Sequence, residues 1–523
     1  MTRDAAAIGT GLAPARPARA IGPAERIHII GAAGAGASAA ALLAHHAGAT
    51  VSGCDAGGPS PYSPALEAAG IRVAWVHDPA HVLDGPRPTR LAVTKALTAI
   101  DPDHPELRAA RSIGIVPEPW QQVVADAAAG RRLVAVAGTH GKSTTSGWLV
   151  HVLAATGGDP GAFVGALLSG DLTGGRPGTA RWGRGDAFVV EADEYAGNFD
   201  PYAPEIAVLT GAEWDHPDVF ADATAVETAF AAWLSRAADA ATLVVNVGDP
   251  GAVAVLDRLA DRHLRVIAYA LVDGPASPGR GGFVRGMAER HATAAGPATA
   301  LLGRIDAADP TGTTLEIRGL DPLVGSTSAR LRTAGRHNAA NALAVAGAAM
   351  ALGVSPADIV VGLTSFDGVG RRLERKGATP DGVVVYDDYG HHPTAIRETI
   401  AAVRQREPGA RLWAVYEPLT YHRTAALLTE FAAALATADA VAVADIWAGR
   451  DPDTTVASAA GLAAAVRAMR PEMAIGAPGS VEATADWLAK QVAPGDAVLV
   501  MGGGHSYRIG ERLLERSRGS EDR

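Results

Sequence analysis

Cysteine is almost absent from this chain. The single one, Cys54, excludes an intramolecular disulfide framework and a Cys-based zinc cluster, and it fits a reducing, cytoplasmic compartment. Lysine is nearly as scarce: only Lys95, Lys142, Lys376 and Lys490 occur, so arginine carries most of the positive charge and few lysines remain for a task that needs one. Acidic residues outnumber basic ones, 56 to 46, and the net charge of −10 argues against a general nucleic-acid binder. No uninterrupted apolar run approaches the roughly 20 residues a bilayer-spanning helix needs, so no membrane partner is expected. Met1 to Ala24 is rich in Ala, Pro, Gly and Arg and lacks the apolar stretch and cleavage site of a secretory signal. Residues 1–25 therefore read as a disordered arm. No repeat of solenoid length is present.

What the chain does have is length and apolar content. Its 523 residues exceed one ordinary core, and 48% of them are apolar, so two to four domains are expected. Residues 26–130 open with a strand-like run, Ile27 to Ile30, followed by Gly31, Gly34 and Gly36, an Ala/Leu helix and a second strand ending at Asp55. This is a βαβ start with an acidic residue about 20 positions on. The spacing is GxxGxG, not the dinucleotide GxGxxG, and a tight strand-to-helix turn without a ligand fits it almost equally well. Residues 131–366 show strand-like runs at 133–137, 187–190, 206–209 and 242–246 with helical patterns between them, which predicts a parallel, helix-flanked sheet. Asp273 to Pro297, rich in Gly, Pro and Arg, reads as a loop, and a helix over 338–352 closes the block. Residues 367–523 show strands at 383–386, 412–416, 440–444 and 497–501 alternating with helices, another doubly wound α/β unit.

The chemistry is concentrated in Gly138-Thr139-His140-Gly141-Lys142-Ser143-Thr144. After a buried strand and before a helix, backbone N–H groups and the positive helix end cradle phosphates. Lys142 supplies a point charge to the phosphates and Ser143 a hydroxyl oxygen to Mg²⁺. The generic phosphate-loop pattern wants glycine at position 136, where Val136 stands, so this is a narrower GTxGK[ST] variant. Packing gives little reason to start a helix in apolar surroundings with a lysine. Downstream, Glu191, Asp193 and Glu194 follow an apolar strand on the edge where Mg²⁺ ligands of a phosphoryl-transfer site belong. Asp215-His216 follows another strand on the same edge.

Taken in order, Gly138–Ser143, Glu191–Glu194, Asp215-His216, Gly335-Arg336-His337-Asn338, Gly370-Arg371-Arg372 and Asp387-Asp388-Tyr389-Gly390-His391-His392-Pro393 resemble the Mur ligase family across all three blocks. The resemblance implies an α/β protein of three domains: an N-terminal Rossmann-like UDP-binding unit, a central P-loop ATPase with a parallel sheet, and a C-terminal Rossmann-like unit that closes over the site. It implies ATP and Mg²⁺ as cofactors, with Ser143, Glu191 and His216 on the metal and Lys142 on the phosphates. His337 and Asn338 would meet the adenine side, Arg372 would reach from the third domain toward the γ-phosphate, and Asp388 would join the nucleotide pocket. His391 or His392 would face the amino substrate. Gly34, Gly36, Asp55, His77, Tyr389 and Arg423 complete the expected substrate contacts. A monomer or weak dimer is expected.

Within the family, the opening block, the Thr139-His140 pair and the Asp-Asp-Tyr-Gly-His-His-Pro run resemble the branch that uses UDP-N-acetylmuramate. Its members add either L-alanine or, in recycling, a whole tripeptide. Relatives that add later residues use a carbamylated lysine in the central domain, and here no lysine lies between Lys142 and Lys376. The overall pattern favours L-alanine. Leu419 and Thr420 stand where the alanine-adding pattern has a His-Arg pair, leaving Arg423 as the guanidinium for a substrate carboxylate. Glu417-Pro418 and Glu194-Tyr195 are closer to the recycling pattern. A nucleotide-binding paralogue that has lost ligation is the third reading, supported only by Leu419-Thr420.

Overall fold

The computed structural model describes residues 8–272, 278–290, 299–449, 451 and 453–518. Three sheets follow one another along the chain. In the first, five parallel strands lie in the order Arg72–Ala74, Thr50–Cys54, Arg26–Ile30, Arg90–Val93, Glu118–Pro119. The helix Ala35–His46 that leaves its first strand is buried from Ala37 through Ala44. It packs between its own sheet and the central one, with Ser38 Oγ 3.0 Å from Thr179 Oγ1, which explains why this helix is built of alanine. Gly36 is required there, because a Cβ would stand 2.2 Å from the Trp120 ring.

The central sheet has ten strands, and the phosphate-loop strand Arg132–Ala137 lies inside it between Ile206–Leu209 and Ala187–Glu191. The four strands predicted from the sequence, Arg132–Ala137, Ala187–Glu191, Ile206–Leu209 and Thr242–Asn246, pair in parallel as expected, and antiparallel strands extend the sheet at both ends. Gly161–Leu168 pairs antiparallel with Gly178–Arg181, and Thr299–Asp309, Gly312–Arg318 and Ser326–Leu331 form an antiparallel meander. Tight reversals such as Asp309 to Gly312 leave no room for a crossover helix. Apolar layers cover both faces, and one of them, containing Ile27, Ala41, Phe163 and Leu209, is shared with the first sheet. The stretch read as a loop carries a helix, Pro278–Arg290; 273–277 and 291–298 lie outside the described residues.

The third sheet runs Glu374–Ala378, Val384–Asp388, Ala497–Gly502, Leu412–Glu417, Ala440–Ala444, Ala474–Gly479, parallel except for its first strand.

The expected disordered arm is corrected from residue 8 onward. Ile8 is buried against Tyr195 and Ala196, and Ala13 N donates to Pro117 O at 2.8 Å. Arg16 bridges to Asp126 at 2.6 Å, and Arg90 reaches Asp126, Glu118 and Glu25 at 2.6–2.9 Å. A composition that disfavours a core of its own is here held by buried carboxylates of the first block. Residues 1–7 lie outside the described residues. Among the described residues no helix is long and apolar enough to cross a membrane.

Candidate active site

The strand Arg132–Ala137 ends in a loop whose glycines are dictated by close approach. At Gly138 (φ +130°) a Cβ would lie 2.3 Å from Thr210 Oγ1, and at Gly141 (φ +80°) 2.4 Å from Asn341 Oδ1. Helix Lys142–Ala155 starts directly after Gly141, so its free N–H groups and positive end face the loop. They open onto a cleft of about 690 Å³ lined by all three blocks.

Lys142 Nζ donates to Gly138 O at 2.7 Å and to Glu194 Oε2 at 2.9 Å, with Asp193 at 3.7 Å. Burial works against its charge, but Glu194 and Asp193 more than offset this and hold it above the ordinary lysine range. Burial, reinforced by Asp193 and opposed by Lys142, lifts Glu194 to about 7. Ser143 Oγ lies 3.0 Å from Glu191 Oε1, whose other oxygen accepts from Gly165 N at 2.7 Å. Ligand atoms of Asp193, Glu194 and His216 lie within 4.8 Å of one another. This supply of hard oxygens with one imidazole, beside a phosphate loop, suits Mg²⁺.

The third block enters through Arg372. Its Nη2 donates to Ser143 Oγ at 2.7 Å, and its guanidinium lies 4.7 Å from the centre of the Tyr389 ring. The neighbouring Arg371 turns the other way and is buried on Asp387, Gly502 O and Ser506. This division depends on backbone strain, since Arg371 (φ +61°) and Leu373 (φ +51°) both occupy the left-handed region. Asp388 fixes the turn by accepting from Leu373 N and Gly390 N, each at 2.7 Å.

His391 Nδ1 faces Tyr389 O at 3.0 Å. A carbonyl can only accept, so Nδ1 carries the hydrogen and Nε2 keeps its lone pair. Burial, then the Arg423 charge, hold His391 well below the usual histidine range, hence neutral. His392 caps its helix by accepting from Thr394 N, so its Nε2 donates to Trp214 O at 3.2 Å. Glu213 joins His140 (2.8 Å) and Thr394 (2.8 Å). Arg423, 1% exposed, donates to Asp215 Oδ1 at 2.8 Å and approaches His216 Nδ1 at 3.1 Å. Burial opposes the Asp215 charge, but Arg423 holds that carboxyl well below the usual range.

The cleft therefore gathers Thr139, His140, Gly141, Lys142, Ser143, Thr144, Glu191 and His216 with His337, Asn338, Arg372, Asp388, Tyr389, His391 and His392. Gly36 borders it as well, whereas Gly138 packs beneath the loop. Gly34, Asp55, His77 and Arg423 do not line it. Gly34 precedes its helix, and Asp55 ties the glycine turn by accepting from Ala33 N and Gly57 N. His77 Nδ1 sits 3.3 Å from Cys54 Sγ. Arg423 is engaged by Asp215, with only Nη1 lacking a partner among the described residues. Sequence reasoning missed Glu213, Trp120 and Lys95. The scarcity of lysine was the available signal for Lys95, which lines the cleft and donates to Ala196 O at 2.6 Å.

Family models match along the chain in the same order as the sheets: a "Mur ligase family, catalytic domain" over residues 26–132, a "Mur ligase middle domain" over 136–278 and a "Mur ligase, glutamate ligase domain" over 371–504. A UDP-N-acetylmuramate–L-alanine ligase of Frankia casuarinae is 38% identical over 94% of this chain and 97% of its own length. The chain belongs to the Mur ligase family. A second such relative, from Kineococcus radiotolerans, is 37% identical over 94% of this Mur ligase and 95% of its own chain. Among solved structures, the UDP-N-acetylmuramate-alanine ligase of Thermotoga maritima superposes with a TM-score of 0.70 at 21% identity, covering 95% of this chain and 100% of its own. The murein peptide ligase of Psychrobacter arcticus gives 0.68 at 24% identity, over 94% and 98%. Both share the three-domain α/β fold of this Mur ligase.

Proposed function

We propose that this Mur ligase uses ATP and Mg²⁺ to join L-alanine to the carboxylate of UDP-N-acetylmuramate, releasing ADP and phosphate. The observation that carries this reading is the contact of Arg372, from the third domain, with Ser143 of the phosphate loop at 2.7 Å. It is supported by relatives of that name aligned along nearly the whole chain. Lys142 and the loop N–H groups would hold the triphosphate. A carboxylate oxygen attacks the γ-phosphorus and ADP leaves, which turns a poor acyl donor into an acyl phosphate. The amine nitrogen then attacks the acyl carbon, phosphate leaves, and the surplus proton passes to a base. His391, neutral and with its hydrogen on Nδ1 so that Nε2 can accept, would serve as that base. Ser143, Glu191 and His216 would hold the Mg²⁺, which neutralises charge on the phosphate oxygens. Lys142 and Arg372 stabilise the same charge from fixed positions, and closure of the third domain excludes the water that would hydrolyse the acyl phosphate.

A second reading, tripeptide addition, draws on Leu419, an apolar residue at the cleft wall where the alanine-adding pattern has a polar pair. Phosphate release is measured with UDP-N-acetylmuramate and Mg-ATP, adding L-alanine, tripeptide or neither. Release stimulated by L-alanine is expected. Release only with tripeptide moves the assignment to the recycling reaction, and no release with either amine removes the catalytic reading.

A further inference from the structure

On the face of the first sheet away from the central sheet, the alternation of strand side chains puts His28 and Cys54 on the same side, since Arg26–Ile30 pairs with Thr50–Cys54 so that His28 lies opposite Ser52 and Ile30 opposite Cys54. Two short helices cover this face, Ala80–Leu83 bringing His81 and Pro105–Ser112 bringing Glu106. One ligand atom from each of His28, Cys54, His81 and Glu106 lies within 4.8 Å of all the others. Glu106 Oε2 is 3.1 Å from Cys54 Sγ, and Glu106 Oε1 is 2.8 Å from His81 Nδ1. Tetrahedral zinc at ordinary bond lengths sets its ligands about 3.4 Å apart, within the range seen here.

Three further features point to a metal ion rather than to hydrogen bonding alone. His28 is 97% buried, since only 3% of it is exposed, and its Nε2 has no hydrogen-bond partner among the described residues. Its Nδ1 is 2.9 Å from Ser52 Oγ, the kind of outer contact that fixes the orientation of a ligating imidazole. Cys54 and Glu106 are both fully buried, in a pocket walled by Ile30, Val82, Leu91 and Leu107. A thiolate and a carboxylate there balance one divalent cation, leaving both imidazoles neutral. His77 Nδ1, 3.3 Å from the sulfur, stands outside the quartet as a hydrogen-bonding neighbour.

We propose that His28, Cys54, His81 and Glu106 form a structural zinc site that pins the helices at 80–83 and 105–112 to the first sheet. The set is mixed, with one thiolate, which a single cysteine allows although it excludes a site built mainly of cysteines. A thiolate with two imidazoles selects zinc over the harder Mg²⁺ used at the cleft, and four protein ligands leave no open position for catalysis.

The probes are Zn²⁺ and Co²⁺ added to the full-length, EDTA-treated chain. The chain has only one cysteine, so a thiolate-to-cobalt charge-transfer band in the near ultraviolet reports on Cys54 alone. We expect about one equivalent of tightly held zinc, the cobalt band, its displacement by Zn²⁺ but not by excess Mg²⁺, and a higher thermal midpoint with zinc. Cys54→Ser should abolish the band, and His28→Ala should lower the zinc content toward zero. The decisive measurement is made on the unaltered chain and does not depend on a variant folding. No cobalt–thiolate band in the folded chain overturns the proposal. Zinc uptake unchanged in Cys54→Ser and His28→Ala overturns it too, because the ion would then be bound at the carboxylates of the cleft.

Discussion

Removing the Lys142 side chain takes one cation away from buried Glu194 at 2.9 Å and partly exposed Asp193 at 3.7 Å. Lysine opposes the burial that lifts Glu194 to about 7. Without it Glu194 moves further up and takes a proton at neutral pH, so the buried carboxyl is left neutral, while Asp193 is partly exposed to solvent. Lys142→Ala should therefore fold, with turnover reduced by roughly 10²–10³-fold or more. Affinity for the UDP-sugar, measured by calorimetry, should be retained, and loss of both would refute the separation of the two sites. At this scale the sequence was most legible where chemistry is contiguous: Gly138 to Thr144 and the acids from Glu191 declare themselves by residue type and by their place after a strand. It was least legible where one side chain could serve several ends. Arg371 and Arg372 are adjacent and identical, and only the left-handed backbone at 371 and 373 sends one to Asp387 and the other to Ser143. His77, expected at substrate, stands beside Cys54 and outside the lining of the cleft.

Elements far from the chemistry set the position of the loop at 211–216, which carries Glu213, Asp215 and His216. Helix Pro250–Asp257 begins under that loop. Its cap Asp249 accepts from Ala212 N at 3.0 Å and from Ala252 N at 2.8 Å, and a Cβ on Gly251 would lie 1.8 Å from Ala212 O. That contact is with backbone, so no rotamer change relieves it. Gly251→Ala should cost about 1–3 kcal/mol of stability, read as a lower thermal midpoint. It should also lower kcat through the displaced loop, although residue 251 does not line the cleft. An unchanged kcat in a folded Gly251→Ala protein would separate this helix from the site. Strands buried on both faces, such as Ile206–Leu209 and Ala440–Ala444, were readable as apolar runs. The meander from Thr299 to Leu331 was not, because its strands are half exposed and interrupted by charge. The arm over residues 8–25 was misread for a related reason: its order comes from Asp126 and Glu118, more than a hundred residues from Arg16.

Besides Arg372 on Ser143 and Gln405 on Gly312 O and Thr313, the third domain is tied over the cleft by polar contacts to residues 213–216. Thr394 donates to Glu213, His392 to Trp214 O, and Arg423 to Asp215. None of these pairings is written in local sequence, because each partner lies roughly 180–210 residues from the other and has an ordinary surface role available to it. Their acid behaviour follows from the direction of the shifts. Burial raises Glu213, yet hydrogen bonds from His140 and Thr394 and nearby imidazoles hold it down to about 2, and Asp215 is also held low by Arg423. A carboxyl depressed in the folded state binds fewer protons there than in the open chain, so its contribution is complete above about 4.5 and is lost as pH falls toward 2. The Glu213 side chain is 42% exposed, and solvent screening limits its share to about 1 kcal/mol or less; buried Asp215 has the larger effect with the same sign. Closure should therefore weaken first on acidification, with the radius of gyration from solution scattering rising between about pH 4.5 and 2. Glu213→Gln should show a smaller change across that window, because its amide no longer titrates, while Arg423→Ala should start from a more open state at neutral pH. If the wild-type and Glu213→Gln profiles coincide, Glu213 has no part in holding the domain. If Arg423→Ala is as closed as the wild type, the Asp215 pair is not what keeps the third domain over the phosphate loop.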